Sequence, residues 1–218
     1  MKTVKDRVPE LEKFEAFTEK GQKKIAEICQ SAARVFYEKG FLSATLADIA
    51  SVVGLTKGAI FHYFSTKEEL LFLILYRYYE YALSHMKKEL QSHQSPRDRI
   101  FIYIRIFIMG YKDRQIESRL AMNERIHLPQ NYLGVIKEKE REFVDILRAL
   151  VADLLGKKGK NPTQITLLTY SLLGMVTWPY RWFDPNGKSS PEDLARTIYK
   201  IFIGDLNIFT PPFNRKVS

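Results

Sequence analysis

The chain has 218 residues and a formal net charge of +9, and 45% of its residues are hydrophobic while 27% are charged. This balance is typical of a globular protein with a buried core. The one cysteine, Cys29, excludes an internal disulfide and a cysteine zinc site, and it weakly favours a reducing compartment. The charged N-terminus lacks the apolar segment of a signal peptide, and the longest apolar-rich run is interrupted by Arg77 and Glu80. We therefore expect a cytoplasmic protein without a membrane span.

Apolar residues recur at spacings of three and four along almost the whole chain, which predicts an all-α fold of about nine helices and no sheet. A charged N-terminal extension, residues 1–20, precedes these helices. The loop at residues 156–162 and the tail at residues 209–218 are expected to be irregular. The predicted helices, in chain order, are Gln22–Lys39, Thr45–Gly54, Thr56–Tyr63, Lys67–Ser92, Pro96–Lys112, Arg114–His127, Asn131–Leu155, Thr163–Phe183 and Pro191–Asp205.

Several helix ends carry capping signals. Gly40 ends the first predicted helix as a left-handed C-terminal cap would. Thr45 and Asp48 have the spacing of a capping box, with Asp in place of the usual Glu, and Ser65 and Glu68 have the same spacing. These signals predict that two helices begin at Thr45 and after Ser65.

The second and third predicted helices are joined by a tight turn that contains Gly54, an arrangement typical of a helix-turn-helix. An eight-residue reading helix is about 12 Å long at ~1.5 Å per residue, which fits across a major groove. Lys57 and Lys67 suit phosphate oxygens, and Gly58 allows a close approach to DNA. Taken singly, each of these residues has an ordinary explanation in packing or solubility, but their order and spacing together predict DNA binding.

Residues from about 22 to 72 resemble the DNA-binding domain of the tetracycline-repressor (TetR) family. The resemblance implies a helix-turn-helix domain at residues 21–66, followed by a helical ligand-binding and dimerisation domain at residues 67–210. Phe61 stands where the family usually has Tyr, so a phosphate contact through that hydroxyl is not expected, and Ala44 replaces a frequent Thr. The matching residues are Gly40-Phe41, Thr45, Asp48-Ile49-Ala50, Val53-Gly54-Leu55-Thr56, Gly58, Phe61-His62-Tyr63-Phe64 and Lys67-Glu68-Glu69-Leu70. The DNA contacts that the resemblance implies fall on Thr45, Thr56, Lys57, Gly58, Phe61, His62, Tyr63 and Lys67.

The resemblance also implies a homodimer with a palindromic operator. Two recognition helices must lie ~34–36 Å apart to enter successive major grooves, and a two-fold contact supplies that spacing. The helices at about 163–183 and 191–205 are the expected interface, and the less favoured alternative is that the first of them is simply the central helix of the domain. The N-terminal extension is expected to be either an arm for the minor groove or a disordered lead.

A small-molecule effector is the second expected partner of the C-terminal half. Arg105 is expected to be buried in an apolar helix and to need an anionic partner, which is Glu117, Glu124 or an anionic ligand. The stretch "WPYRWFDPNGKSSPEDLA" is similar to the acyl-CoA-responsive branch of the family, which implies an acyl-CoA or other hydrophobic effector; alternatively, its aromatics seal the dimer interface. The candidate ligand-binding residues are Tyr103, Arg105, Phe107, Met109, Met122, Phe143, Trp178 and Arg181.

Three classes of function remain to be compared. The favoured hypothesis is a ligand-responsive transcriptional regulator, most simply a repressor, with no cofactor and no metal. The alternative is a constitutive architectural DNA-binding dimer whose C-terminal half binds no ligand. An enzyme is not expected, because the four histidines (His62, His85, His93 and His127) and the one cysteine show no spacing typical of a metal site or a catalytic triad.

Overall fold

A computed structural model describes residues 8–156 and 161–204, and over these residues the chain forms ten α-helices, two short 3₁₀ helices and no strand. The expected all-α class is thereby confirmed. Residues 1–7, part of the predicted loop (157–160), the predicted end of the last helix at Asp205 and the tail lie outside the described residues. The α-helices are α1 (Glu10–Glu15), α2 (Glu19–Lys39), α3 (Leu46–Val53), α4 (Lys57–Tyr63), α5 (Lys67–Gln91), α6 (Pro96–Asp113), α7 (Gln115–Asn123), α8 (Gln130–Leu155), α9 (Pro162–Thr177) and α10 (Pro191–Gly204).

The chain divides into two compact units. The first comprises Met1–Ser84 and Arg114–Glu142, and the second comprises His85–Asp113 and Phe143–Ser218. The long helices α5 and α8 therefore contribute part of their length to each unit. The predicted domains at residues 21–66 and 67–210 are defined by function rather than by packing, and they stay predictions.

In the first unit, α2, α3 and α4 form a small helical core. The apolar stripe of α2 buries Ile25, Ile28 and Phe36, while α3 and α4 add Ile49 and Ile60. α2 contacts α3 and α7, and α3 contacts α4. Burial of one stripe on each helix is what the spacing of the apolar residues predicts.

The N-terminal extension contains a short α-helix. Pro9 precedes α1, and this six-residue helix buries Leu11 and Phe14, with Val8 buried just before it. Residues 8–18 are therefore not a disordered lead. The alternative of a minor-groove arm stays a prediction.

Two helix ends differ from the prediction for identifiable reasons. α5 is capped by Thr66 rather than Ser65, because the Thr66 hydroxyl oxygen accepts from the Glu69 backbone N–H at 3.1 Å. α9 ends at Thr177 rather than Phe183, and a 3₁₀ helix at Trp178–Arg181 follows. Pro179 lacks the N–H that a continued α-helix needs, so the chain tightens at that point.

In the second unit, α6 packs against α9 and α10, and α9 contacts α10. The Tyr111 hydroxyl of α6 donates to the Val176 carbonyl at 2.7 Å and to the Thr177 carbonyl at 3.2 Å. These carbonyls belong to the last turn of α9, where no intrahelical donor remains for them. One tyrosine thus ties the end of α9 to α6.

The capping box of α3 yields a pH-dependent prediction. The Asp48 carboxylate accepts from Lys39 Nζ at 2.8 Å and from the Thr45 N–H and hydroxyl at 2.9 Å and 2.8 Å. The hydrogen bonds from Lys39 and then from Thr45 lower the pKa of Asp48 from 3.8 to about 2. Because the folded pKa is depressed, this stabilisation is complete above pH 3.8 and is lost as the pH falls towards 2.

We expect Asp48→Asn to lower the free energy of unfolding at neutral pH. The difference from wild type should shrink as the pH falls through the interval between these two pKa values. Urea unfolding followed by circular dichroism at a series of pH values measures it. Asp113→Asn, at an exposed position in the second unit, is the control. A difference that stays constant down to pH 2 would contradict the assigned role of Asp48.

Candidate nucleic-acid interface

The turn between α3 and α4 sets the direction of the second helix. Gly54 adopts a left-handed conformation with φ of 69°, and its N–H donates to the Ala50 and Ser51 carbonyls at the end of α3. Glycine tolerates this conformation at no steric cost. Thr56 then caps α4, since its hydroxyl oxygen accepts from the Ala59 N–H at 3.1 Å. The chain therefore reverses within Gly54–Thr56 and starts a new helix at once.

The structure brings six of the predicted DNA-binding residues together on α4 and its cap. Ile60 is the only fully buried side chain of the helix. Tyr63 is half-buried, and the other predicted residues of this group are exposed. The group consists of Thr56, Lys57, Gly58, Phe61, His62 and Tyr63. A short helix that buries one side chain and exposes a cation, an imidazole and two aromatic rings is suited to contacts with an external partner.

The two predicted threonines differ in what they can offer a phosphate. The Thr45 hydroxyl already donates to Asp48 Oδ2 at 2.8 Å, so a phosphate would have to replace that bond. The Thr56 oxygen only accepts, among the hydrogen bonds of the described chain, and its hydrogen can be donated outward. Thr56 is therefore the better placed of the two phosphate donors.

Gly58 is not required by the packing of the protein. A Cβ atom built at this position would meet no atom within 4 Å, and φ lies outside the left-handed region. Space for a side chain thus exists within the chain itself. The lack of a side chain at an exposed position of α4 would allow an external backbone or base to approach closely.

Phe61 stands at a position where the resembled family usually has tyrosine, so the ring here carries no hydroxyl group. The side chain is 47% exposed on α4. It cannot donate to a phosphate, but an exposed apolar group can contact the methyl group of thymine in the major groove. The substitution therefore changes the kind of contact available at this position.

Lys67 has a structural role that sequence spacing did not indicate. Its ammonium group donates to the carbonyls of Phe41, Leu42 and Ala44 at 2.9 Å, 2.9 Å and 3.1 Å, and it lies 4.8 Å from the centre of the Phe41 ring. An ammonium has three N–H donors, and all three are used here. The phosphate contact predicted for Lys67 stays a prediction, and it would require one of these bonds to be exchanged.

Sequence analysis missed two residues that contact the last turn of α4. Lys13 Nζ donates to the Tyr63 carbonyl at 2.8 Å. The Phe17 ring stacks on Tyr63 with 5.4 Å between ring centroids and meets His62 edge-on at 5.8 Å. Both residues lie in the N-terminal extension, about fifty residues away in the chain, so no local motif could have indicated them.

Three of the predicted ligand-binding residues form an aromatic cluster in the second unit. Ring centroids lie 5.0 Å apart for Tyr103 and Phe107 and 5.3 Å apart for Phe107 and Phe143. The Tyr103 hydroxyl donates to the Phe143 carbonyl at 3.2 Å, and burial raises the pKa of Tyr103 above its usual range. The cluster is part of the core of this unit, and Phe107 is its partly exposed member.

Arg105 differs from its predicted environment. The side chain is 44% exposed, and its Nε lies 2.9 Å from Glu192 Oε2, so the expectations of burial and of a partner at Glu117 or Glu124 are wrong. Arg196 binds the other oxygen of Glu192 at 2.8 Å. Arg105 lies on the face of α6 that meets α10. Because most residues of α6 are apolar, the sequence did not indicate this position. With Met109 these residues line an open groove of about 680 Å³.

The remaining predicted ligand-binding residues do not share one environment. Met122 lies in α7, in the first unit, whereas Trp178 and Arg181 lie on the 3₁₀ helix of the second unit. Trp178 is 60% exposed and Arg181 is also exposed. These three contacts stay predictions. Within residues 8–156 and 161–204, no helix is both long and apolar enough to cross a bilayer.

The chain is similar to known proteins in both sequence and structure. Residues 28–74 match the profile of bacterial regulatory proteins of the tetR family, and residues 93–206 match the tetracyclin repressor-like C-terminal domain. The chain is 25% identical over 186 residues to the HTH-type transcriptional repressor KstR2 of Mycolicibacterium smegmatis, which covers 83% of this chain and 89% of the relative.

Several solved structures share the fold, and two of them are described here. A TetR-family transcriptional regulator from Bordetella parapertussis superposes with a TM-score of 0.77 at 23% identity, over 84% of this chain and 95% of that one. AibR in complex with isovaleryl coenzyme A and operator DNA gives a TM-score of 0.70 at 24% identity, over 82% and 97% of the two chains. KstR2 and the regulator from Bordetella parapertussis are described as transcriptional regulators and not as enzymes. Since the second profile alone spans more than half of the sequence, and the first covers the helix-turn-helix, the chain belongs to the TetR family of transcriptional regulators.

Proposed function

We propose that this chain is a ligand-responsive repressor that binds a palindromic operator as a homodimer in the cytoplasm. Residues 21–66 form the DNA-binding domain, and residues 67–210 form the effector and dimerisation domain. The observation that carries the proposal is α4, whose exposed face presents Lys57, Gly58, Phe61 and His62 beside a capping hydroxyl. A helix with this surface reads base edges, while cations and hydroxyls hold the phosphates.

Dimerisation is supported by large apolar side chains that the second unit leaves exposed. α9 exposes Leu167 and Tyr170, Trp178 follows directly, and Ile201 of α10 is 61% exposed. Aromatic and aliphatic side chains on neighbouring helices are typical of the centre of a stable protein interface. A palindromic operator requires two reading helices on successive major grooves, and a two-fold contact through α9 and α10 is the dimer contact that we propose for this purpose.

An acyl-CoA or another hydrophobic molecule is the effector that we propose. The support is the likeness to AibR, which was solved with isovaleryl coenzyme A, and to KstR2 of Mycobacterium tuberculosis, described as a ketosteroid transcriptional regulator. In this chain, Arg105 and Arg196 share the single carboxylate of Glu192. Guanidinium groups that retain further N–H donors suit the phosphates of a coenzyme A. Such an effector releases DNA only if it prefers the state in which the two reading helices are misplaced.

The first prediction of the proposed function concerns the reading helix. The operator is first isolated by selection from a pool of random duplexes with the wild-type protein. Lys57→Ala combined with Tyr63→Ala should then weaken operator binding by about a hundredfold or more, because base and phosphate contacts are each worth ~1–3 kcal/mol. Fluorescence anisotropy measures the affinity, and sedimentation confirms the oligomeric state. Lys88→Ala, a change at an exposed lysine of the second unit, is the control. Unchanged binding by the double variant would mean that α4 is not the reading helix.

The second prediction concerns the dimer. Ile201→Glu places a charge in the proposed interface and should yield a folded monomer, with operator affinity reduced on the order of a hundredfold because the two half-sites are no longer linked. Sedimentation velocity measures the mass. Ile126→Glu is the matched control, since Ile126 is 70% exposed but lies in the first unit. A dimer that persists in Ile201→Glu would exclude an interface centred on α10.

The third prediction concerns the effector. Among acyl-CoAs, the corresponding free acids and cationic drugs, an acyl-CoA should raise the melting temperature and release the operator. A ligand at a hundredfold excess over its Kd adds about 2.7 kcal/mol to the free energy of unfolding. Parallel thermal-shift and DNA-release assays test each compound. If no compound alters operator affinity, the constitutive architectural dimer is the better description.

A further inference from the structure

The N-terminal segment at residues 8–18, which contains α1, contacts the end of the reading helix through three side chains. Lys13 Nζ donates to the Tyr63 carbonyl at 2.8 Å. The Phe14 and Phe64 rings lie 5.2 Å apart, and Phe17 stacks on Tyr63 at 5.4 Å. All of these contacts fall on the last turn of α4 or on the residue that follows it. We refer to this segment, residues 8–18, as the N-terminal brace.

α4 depends on contacts with neighbouring elements for its stability. It is seven residues long and buries only Ile60, and an isolated helix of this length is unstable in water. Its last carbonyls have no intrahelical donor. Lys13 supplies a charged donor to the carbonyl of Tyr63, the final residue of the helix, where a cation also opposes the helix dipole. The brace therefore stabilises the end of α4 that carries His62 and Tyr63, two of the predicted DNA-binding residues.

Lys13 also joins the end of α4 to the start of α5. Its Nζ lies 3.3 Å from Oε1 of Glu69, a residue only 3% exposed. The other oxygen of Glu69 accepts from the Ser65 N–H at 2.6 Å. A buried carboxylate needs such partners. One ammonium group thus fixes a carbonyl of the reading helix to a buried anion of the following helix.

Phe17 directly restricts the side chains of His62 and Tyr63. Its ring faces Tyr63 and meets His62 edge-on at 5.8 Å, while His62 and Tyr63 lie 5.2 Å apart. Three rings in mutual contact leave fewer side-chain conformations for His62 and Tyr63 than two rings on an exposed helix would have. Fixing these conformations before DNA binds reduces the ordering that binding requires.

The brace is itself anchored at both ends. Glu10 Oε1 accepts from the Tyr132 hydroxyl at 2.9 Å, and the Tyr132 ring stacks on Phe72 at 4.5 Å. At the other end, the Gln22 side-chain amide donates to the Phe14 carbonyl. The contacts with α4 therefore come from a segment that the first unit holds in place.

We propose that the N-terminal brace holds the last turn of α4 in its DNA-reading orientation, with Lys13 and Phe17 as the positioning residues. Neither residue needs to touch DNA for this role. The proposal rests on the proposed function, since it assigns residues that act through the reading helix.

The salt dependence of binding separates positioning from direct contact. The observed log K falls with log salt by about 0.9 for each phosphate that a protein contacts. Lys13→Met should weaken binding to the selected operator about tenfold or more and leave the salt slope and the affinity for a random duplex unchanged. Lys88→Met, which removes the same charge from the second unit, should change neither affinity.

Phe17 provides the second, independent measurement. Phe17→Ala should weaken operator binding to a similar extent, whereas Phe17→Tyr, which keeps the ring, should bind as wild type does. Melting temperatures establish that each variant is folded at the assay temperature. Should Lys13→Met fail to fold, the Phe17 pair alone decides the question.

The outcomes are distinct. Operator affinity that is unchanged in Lys13→Met and Phe17→Ala overturns the proposal. A salt slope that falls by about 0.9 in Lys13→Met also overturns it, because Lys13 would then contact a phosphate itself. Failure of the proposed function has a different signature, since the wild-type protein would then select no duplex at all.

Discussion

The ammonium group of Lys67 closes the turn on which the geometry of the first unit depends. It donates to the backbone carbonyls of Phe41, Leu42 and Ala44, and it thereby joins the start of α5 to the segment that leads from α2 into α3. Those carbonyls belong to no helix and would otherwise need water. With the turn closed, Thr45 is placed to cap α3, and the short turn at Gly54 then fixes where α4 begins. The hydrogen bonds of this half-buried lysine thus help to define the position from which α3 and then α4 begin.

Local spacing was sufficient to predict most of the fold. The apolar stripe of α2, the box at Thr45 and Asp48 and the turn at Gly54 each lie within one or two helical turns, and the structure has all three. The errors also have local causes. α1 is six residues long, too short for a periodic pattern to define its bounds, and Pro179 ended α9 at a point where apolar residues continued.

The candidate site could be predicted only in so far as its residues are neighbours in the chain. The side chains of α4 follow from one short motif, whereas Lys13 and Tyr63 are separated by 50 residues and Lys67 and Phe41 by 26. Such pairings depend on how helices pack, which residue spacing does not encode. Arg105 shows the same limit, because its partner Glu192 lies 87 residues away and its helix is apolar in composition. Polar contacts between helices that are distant in the chain are therefore the feature of the site that the sequence alone does not predict.

Gly58 has a consequence for how this protein could diverge. The folded chain leaves open space where a Cβ would stand, so alanine, a better helix former, would meet no clash at that atom and should not destabilise the monomer. Under the proposed function, the added atoms would face the duplex. Selection at this position would then act mainly through the target sequences, because packing of the chain does not require glycine there. A library of substitutions at residue 58 would be sorted by DNA preference rather than by solubility, which makes this glycine a natural point at which related regulators could acquire different operators.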